Sequence, residues 1–255
     1  MKPEQRQEKI LQRLRAVQRE WSVAELVRVL KVSALTVRRD LESLVKSGLV
    51  LRTHGGCLFS GRIAADFIYH QRVAANFELK QAIGVAAARE VRVGDVMVIN
   101  DGSTTFHLAS CLGQCGRVTV YTNSIIMIGE LRRFSNVCLY ILGGKYHPDV
   151  SCLGGSVMER VLETIDADTV FLGTDAIDAR GRCLAADQDA ARTAQIMLRR
   201  ARRRILLADH TKTAAAGGVV YATLRNFDLW ITTPGLSPSA RRRYKKQTQI
   251  KEVSG

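Results

Sequence analysis

Residues Ser33–Leu41 include two adjacent arginines, Arg38 and Arg39, in a stretch that has the pattern of a short helix. A guanidinium group presents its N–H donors in a rigid fork, which suits guanine edges and phosphate oxygens. An arginine pair by itself is more often part of a solvated helix face. The elements around the pair therefore decide whether it indicates a contact with DNA.

The helical periodicity predicts which way this helix faces. Val37, Leu41 and Leu44 fall on one side at roughly 100° per residue, and we expect that side to be buried. Leu35 falls on the outward side, where a leucine suits the methyl group of thymine better than water. The outward side chains that we expect to meet DNA are Leu35, Arg39 and Lys46, with Arg38 at their flank and with Ser33 and Thr36 bonding the DNA backbone near the helix start.

The elements that surround the arginine pair have the order of a helix–turn–helix with a wing. Ser22 and Ser33 can cap the second and third helices, and Gly48 can end the third. A glycine-tipped turn carries Arg52 and His54, which we expect to hold the wing against the neighbouring groove. The predicted elements are helices near 4–19, 23–30 and 33–47 and short strands at 49–51 and 57–59.

A second set of chemically useful residues follows the first apolar run of the remaining chain. Asp101, Gly102, Ser103, Thr104 and Thr105 come directly after a predicted strand and open a predicted helix. Glycine lets a ligand approach the backbone, hydroxyl groups donate hydrogen bonds, and the first-turn N–H groups point outward. This combination suits a phosphate, although Ser and Thr also cap helices that bind nothing.

Beyond residue 80, apolar β-rich runs alternate with helical patterns, which predicts an α/β fold with a mostly parallel sheet covered on both faces. The predicted strands are 97–100, 118–122, 137–142, 169–172, 205–208 and 229–232. The predicted helices are 80–91, 104–112, 124–134, 157–165 and 189–203.

Ligands of parallel sheets bind at the carboxyl ends of the strands. Asn123 and Asp175 follow two of the strands and could bond sugar hydroxyls, and Lys212 follows a third and could pair with an anion. Asp189 and Arg192 stand at the start of a helix between two of the strands. Any one of these is more often a turn residue or a cap. Because all of them are expected at the same edge of the sheet, together they predict a ligand-binding site.

Charge and composition indicate a soluble DNA-binding protein. The net charge of +14 is concentrated in residues 1–60 and 241–255, as expected for a protein that binds a polyanion. No run of about 18 apolar residues could span a bilayer, and the N-terminus does not resemble a signal peptide. We therefore expect a cytoplasmic protein with reduced cysteines, no membrane partner and no cofactor. A metal site on His107, Cys111 and Cys115 is not expected, because Gly113 should end their helix first.

These patterns divide the chain into four parts. We expect a winged helix–turn–helix domain at 1–58, a linker at 59–79 with a helical stretch near 67–72, and a ligand-sensing α/β domain at 80–240. The basic residues 241–255 are expected to form a disordered solubilising tail, with contact to DNA phosphates as the lesser alternative.

Both halves of the chain resemble the DeoR family of bacterial transcriptional regulators. The N-terminal signature appears as Arg6, Ile10, Leu14 and Ser33-x-x-Thr36-Val37-Arg38-Arg39-Asp40-Leu41, and the wing as Arg52-x-His54-Gly55-Gly56. The motifs of the second half are Asp101–Thr105, Thr122-Asn123 and Asp209-His210-Thr211-Lys212. The chain departs from the family where Asp189 and Arg192 replace the usual Glu and Lys, and where Cys57 replaces alanine.

The resemblance implies a repressor whose second domain is related to ribose-5-phosphate isomerase and whose operator is released by a phosphorylated sugar. A winged helix makes few phosphate contacts, so we expect a homo-oligomer, dimer or tetramer, on repeated half-sites of double-stranded operator DNA. The alternatives are a sugar-phosphate isomerase with Asp189 or Asp175 as base and an architectural DNA binder. The first leaves residues 1–57 without a role and the second leaves the α/β domain without one, so neither is favoured.

Overall fold

A computed structural model describes residues 2–17, 19–53, 56–60, 69, 72–147, 150–214 and 217–254. Its internal contacts divide the chain into two compact units. The N-terminal unit comprises Met1–Gln71 with Pro148–Val150, and the C-terminal unit comprises Arg72–His147 with Ser151–Gly255. The helical stretch expected near 67–72 lies mostly outside the described residues.

The N-terminal unit contains the three predicted helices and the predicted hairpin, together with a strand that the sequence did not reveal. Strand β1 pairs antiparallel with β3, which pairs antiparallel with β2. The elements are α1 (Pro3–Ala16), β1 (Trp21–Ser22), α2 (Val23–Leu30), α3 (Ala34–Lys46), β2 (Val50–Arg52) and β3 (Gly56–Phe59). A helix–turn–helix with a wing is therefore confirmed as the architecture of this unit.

Local sequence explains where the second and third helices begin and end. The Ser22 hydroxyl accepts from the backbone N–H of Glu25, whose carboxylate accepts from Ser22 in return, which is a complete capping box. Lys31 takes a left-handed conformation at φ 52° and ends α2. Ser33 caps α3 by accepting from the N–H of Thr36. These caps set the three-residue turn, Lys31 to Ser33, that orients α3 against α2.

The C-terminal unit is built on a seven-stranded sheet in which every neighbouring pair of strands is parallel. In spatial order the strands are β15 (Gln249–Glu252), β14 (Leu229–Thr232), β12 (Ala201–Leu207), β9 (Ala167–Leu172), β4 (Val96–Ile99), β5 (Val118–Thr122) and β6 (Val137–Ile141). All six predicted strands lie in this sheet. The predicted α/β fold class is confirmed.

Helices cover both faces of the sheet and enclose two apolar cores. The first face packs against α4 (Phe77–Ala88), α5 (Ser103–Cys111) and α6 (Ile125–Leu131). The second face packs against α7 (Ser156–Leu162), α8 (Gln188–Arg199) and α9 (Pro238–Lys245). Two small antiparallel sheets complete the unit: β7 (Lys145–His147) with β8 (Cys152–Gly154), and β11 (Arg182–Ala185) between β10 (Ala176–Ile177) and β13 (Val219–Thr223).

Two expectations about basic segments were wrong. Residues 241–255 are not a tail, because α9 continues to Lys245 and β15 extends the main sheet. Tyr244 anchors this segment with a buried ring against Trp230 and a hydroxyl that donates to the carbonyl of Asp178. The helix predicted over 189–203 also ends early at Arg199, and residues 202–204 lie in β12. In both places arginine and lysine side chains extend into solvent from a regular helix or strand. Because runs of basic residues usually indicate solvated segments, the charge pattern did not reveal these elements.

Candidate functional site

Helix α3 turns the predicted set of side chains outward. Val37 and Leu41 are fully buried, whereas Leu35 is 60% exposed and Arg38, Arg39 and Lys46 are exposed. The predicted orientation of the helix is thereby confirmed. A large leucine and two guanidinium groups on one solvent-facing surface have the chemistry needed to read base edges and phosphates.

A buried ion pair fixes α3 against α1. Both Nε and Nη2 of Arg6 donate to the carboxylate of Asp40, with Nη2 2.9 Å from Oδ1. Both side chains are nearly inaccessible to solvent, and the carboxylate raises the pKa of Arg6. Sequence reasoning missed the pair, although Asp40 falls on the same helical side as Val37 and Leu44, where a charge requires a partner.

The wing is described only in part. Arg52 is exposed on β2, and the hydroxyl of Thr53 accepts from the N–H of Gly56 across the turn. A side chain at Gly56 would collide with the backbone of Trp21, because its Cβ would lie 2.0 Å from that carbonyl oxygen. The close approach of β1 and β3 therefore depends on this glycine. His54 lies outside the described residues.

In the C-terminal unit, the direction of strand addition reverses between β4 and β9. The chain passes from β4 outward to β5 and β6, and then returns to build β9, β12, β14 and β15 on the other side. Such a reversal leaves a crevice at the carboxyl ends of the two central strands. Asn100 bridges it, because its Oδ1 accepts from the N–H of Gly173 at 3.0 Å.

Helix α5 opens at this crevice without a side-chain cap. Gly102 is its N-cap and supplies no side-chain acceptor for the first-turn N–H groups. Ser103, Thr104 and Thr105 in that turn are all buried. The hydroxyl of Thr105 donates within the loop, 2.8 Å from the carbonyl oxygen of Asn100 and 2.7 Å from that of Gly102. The arrangement leaves backbone donors and helix polarity available to an anion.

Unpaired acceptors lie at the neighbouring strand ends. Asn123 donates from Nδ2 to the Leu153 carbonyl at 3.0 Å and to Oδ1 of Asp101 at 3.4 Å. Among the described residues, neither its own buried Oδ1 nor the buried Oδ2 of Asp209 has a hydrogen-bond partner. Burial raises the pKa of Asp101. A buried acceptor without a donor is costly unless a ligand or water supplies one.

Three cationic side chains of the C-terminal unit, those of Lys80, Lys212 and Arg72, lie near one another. Lys80 is 4% exposed and donates from Nζ to the carbonyls of Arg72 and Ala75. Burial and the nearby charge of Lys212 lower the pKa of Lys80 to about 8, with Asp209 opposing and Arg72 adding to them. Sequence reasoning chose Lys212 but missed Lys80, because a lysine in a helix normally indicates a solvated face.

The remaining predicted site residues have other partners or none. Asp175 pairs with Arg72, whose Nη2 is 3.0 Å from its Oδ1. Arg192 pairs with Glu159 of α7 at 2.8 Å. Asp189 is exposed in the first turn of α8. Within the described part of the chain, no recorded hydrogen bond or ion pair joins Asp189 or Arg192 to residues 100–105.

A chain that combines a winged helix–turn–helix unit with a parallel α/β unit belongs to the class of two-domain DNA-binding regulators. The DeoR-like helix-turn-helix domain matches residues 6–61, and the DeoR C terminal sensor domain matches residues 75–233. The chain belongs to the DeoR family of transcriptional regulators. Its second unit is accordingly a sensor domain, and the resemblance seen in the sequence is confirmed.

Relatives of known name support this assignment. The HTH-type transcriptional regulator GlpR of Haloferax volcanii is 32% identical over 86% of both chains. The HTH-type transcriptional repressor GlcR of Bacillus subtilis is 32% identical over 82% of this chain and 80% of its own. These relatives are named as regulators, so an isomerase function for this chain is not retained.

A ribose 5-phosphate isomerase A from Methanocaldococcus jannaschii is similar in fold at a TM-score of 0.40. It is 18% identical over 54% of this chain and 55% of the isomerase. Among the described residues, no group of three His, Cys, Asp or Glu side chains could hold a metal ion. None of the described helices has the length and hydrophobicity to cross a membrane.

Proposed function

We propose that this regulator represses an operon for the use of a sugar or sugar derivative, and that a phosphorylated sugar releases it from its operator. The outward face of α3 would read base edges through Leu35, Arg38, Arg39 and Lys46, with Ser33 and Thr36 bonding the backbone. Arg52 and His54 would place the wing in the flanking groove. Two or four copies would bind repeated half-sites, since one winged helix makes few phosphate contacts.

The observation that carries the effector proposal is the uncapped N-terminus of α5 at the crevice between β4 and β9. A phosphate could accept from the N–H groups of Ser103, Thr104 and Thr105 and from the hydroxyls of Ser103 and Thr104. Lys212 and Lys80 would neutralise its charge. Burial and the nearby charge of Lys212 lower the pKa of Lys80, and a bound phosphate would favour its charged form.

The unpaired acceptors suit the sugar part of such a ligand. Oδ1 of Asn123 and Oδ2 of Asp209 are buried and accept from no described group. Sugar hydroxyls are donors and would satisfy both atoms. Asp101 and Asp175 would provide further acceptors near Gly102, and Asp189 and Arg192 would lie at the outer rim of the site.

A gel shift on DNA from upstream of the regulator's own gene tests both halves of the proposal. We expect one shifted complex that disappears when the right phosphosugar is added, but not when its unphosphorylated parent is added. A shift that no member of a broad phosphosugar panel changes would contradict the effector assignment. A shift retained by the Arg38→Ala, Arg39→Ala double variant would contradict the assignment of the recognition helix.

A further inference from the structure

The two edge strands of the seven-stranded sheet differ in how they are protected. At one edge, β15 carries Lys251 and Glu252, which pair with Glu90 at 2.7 Å and with Arg241 at 2.9 Å. At the other edge, the β6 sequence Val-Cys-Leu-Tyr-Ile contains no charged residue. None of the described strands pairs with the outer side of β6. Charged residues normally protect an edge from pairing with another chain, and β6 lacks them.

Both faces of the same strand are also partly open. Tyr140 and Ile141 are each 49% exposed, and Cys138 is exposed between the half-buried Val137 and Leu139. The ring of Tyr140 stacks on that of Tyr121 in β5, with centroids 4.7 Å apart and planes 16° apart. Parallel sheets are normally covered on both faces, so a partly bare strand of this composition indicates an interface.

Helix α7 exposes further apolar side chains. Helix α7 buries Met158 and Leu162 in the core against which Tyr121 packs, and it exposes Val157 and Val161 on its opposite side. A strand of five residues alone presents less than the roughly 800 Å² per partner of a stable interface. A stable interface would therefore have to include further exposed apolar side chains, such as these two valines.

Charge indicates which partner fits this surface. The chain carries a net charge of +14, so a contact between two copies is least unfavourable where it brings no like charges together, as at β6. A two-fold contact also places the same strand against itself, and the N–H and C=O groups of a free edge are complementary to an identical edge running antiparallel. We infer that β6 and the adjoining apolar residues form the interface between the sensor domains of two copies of this chain.

This inference locates the oligomer interface that the proposed function requires. Its test measures molecular mass and cross-linking rather than DNA or effector binding. A negative result would therefore remove the interface while leaving the proposed operator and effector sites intact.

Sedimentation of the full chain provides the first test. We expect the wild-type mass to be a multiple of the chain mass, and the Tyr140→Lys, Ile141→Lys double variant to sediment as a smaller species. The matched control is Val93→Lys with Val220→Lys, which places the same two charges on valines outside β6 that are 79% and 38% exposed. A monomeric wild type, or an unchanged mass in a double variant with native circular dichroism, would overturn the inference.

Cys138 allows a second test that needs no destabilising variant. Its thiol is exposed on β6, whereas Cys57, Cys152 and Cys183 are buried. A short bismaleimide reagent should convert the wild type into a covalent dimer, and Cys138→Ser should abolish the product while Cys111→Ser should retain it. Absence of a covalent dimer in the wild type, or its persistence in Cys138→Ser, would contradict the assigned edge.

Discussion

The DNA-reading surface and the candidate effector site are built in opposite ways. On α3 the candidate contacts are exposed side chains such as Arg38 and Arg39, which play no part in the core. At the effector site the candidate contacts are buried polar groups such as Thr105 and Asn123, which are also hydrogen bonded to the scaffold. Changes on α3 should therefore alter binding alone, whereas changes at the effector site should also alter folding stability.

The strongest test of this contrast is the Arg38→Ala, Arg39→Ala double variant. We expect operator affinity to fall by about 10³-fold, since each good base contact contributes about 1–3 kcal/mol. The melting temperature should not change, because surface substitutions alter stability by only about 0.5 kcal/mol. Fluorescence anisotropy and thermal unfolding measure the two quantities.

The matched control is Arg132→Ala with Arg133→Ala, an exposed arginine pair in the sensor domain. It removes the same net charge and should leave operator affinity within a few fold, as about two lost long-range charges weaken DNA binding only modestly. An equal loss in both double variants would show that net charge, and not the face of α3, determines binding.

Asp40→Ala should show that the position of α3 depends on a buried ion pair. Removing the carboxylate leaves Arg6 buried without its partner, and we expect the N-terminal domain to lose about 3 kcal/mol of unfolding free energy. Denaturant unfolding measures the loss. The double variant Arg6→Met, Asp40→Leu should recover most of it. Equal destabilisation of both variants would mean that packing, and not the uncompensated charge, is responsible.

The sequence was sufficient for most of the helices, for six of the seven strands of the main sheet and for the outward face of α3, because apolar periodicity determines which side is buried. The sequence did not predict regular structure or burial at positions where long charged side chains lie in a helix or strand. Lys251 lies in a strand and Lys80 is buried in a helix, yet each has the sequence signal of a solvated residue. Contacts between residues distant in sequence, such as Arg6 with Asp40, also require the folded chain.

Thr105→Val should show that the effector site is coupled to folding. The substitution keeps the shape of the side chain but removes the donor to the carbonyls of Asn100 and Gly102. We expect a loss of about 1–2 kcal/mol in unfolding free energy, in the usual range for a buried hydrogen bond. Thr164→Val removes an exposed hydroxyl and should cost less than about 0.5 kcal/mol. Similar losses in the two variants would contradict the contrast between exposed and buried sites.

Lys212→Ala should separate effector binding from DNA binding. We expect phosphosugar affinity to fall by about tenfold, as for the loss of one charge-assisted contact, with operator affinity unchanged. Calorimetry and anisotropy measure the two affinities. Lys246→Ala is the control, because that lysine is exposed just after α9. The assignment fails if Lys246→Ala weakens effector binding as much as Lys212→Ala does.

The smallest expected effect is a pH dependence of effector affinity. Lys80 has a pKa of about 8 in the folded protein, below its ordinary value, so it loses its proton as the pH rises through about 8. A phosphate favours the charged form, and affinity should therefore decline a few fold above that pH. Between about 8 and the ordinary lysine pKa the unfolded state holds more protons, so stability should rise with pH. Lys80→Met should abolish both trends, and their persistence would exclude this lysine as their source.

We expect an anion bound in the sensor domain to weaken operator binding by the N-terminal domain. An anisotropy titration of labelled operator DNA, with each phosphosugar and its unphosphorylated parent present in turn, measures this coupling. At least one phosphosugar should raise the operator Kd by about tenfold or more, while its parent should not, as expected for a typical coupling free energy between two sites. Calorimetric binding of the phosphosugar without a change in the operator Kd, or an equal effect of the parent sugar, would contradict the coupling.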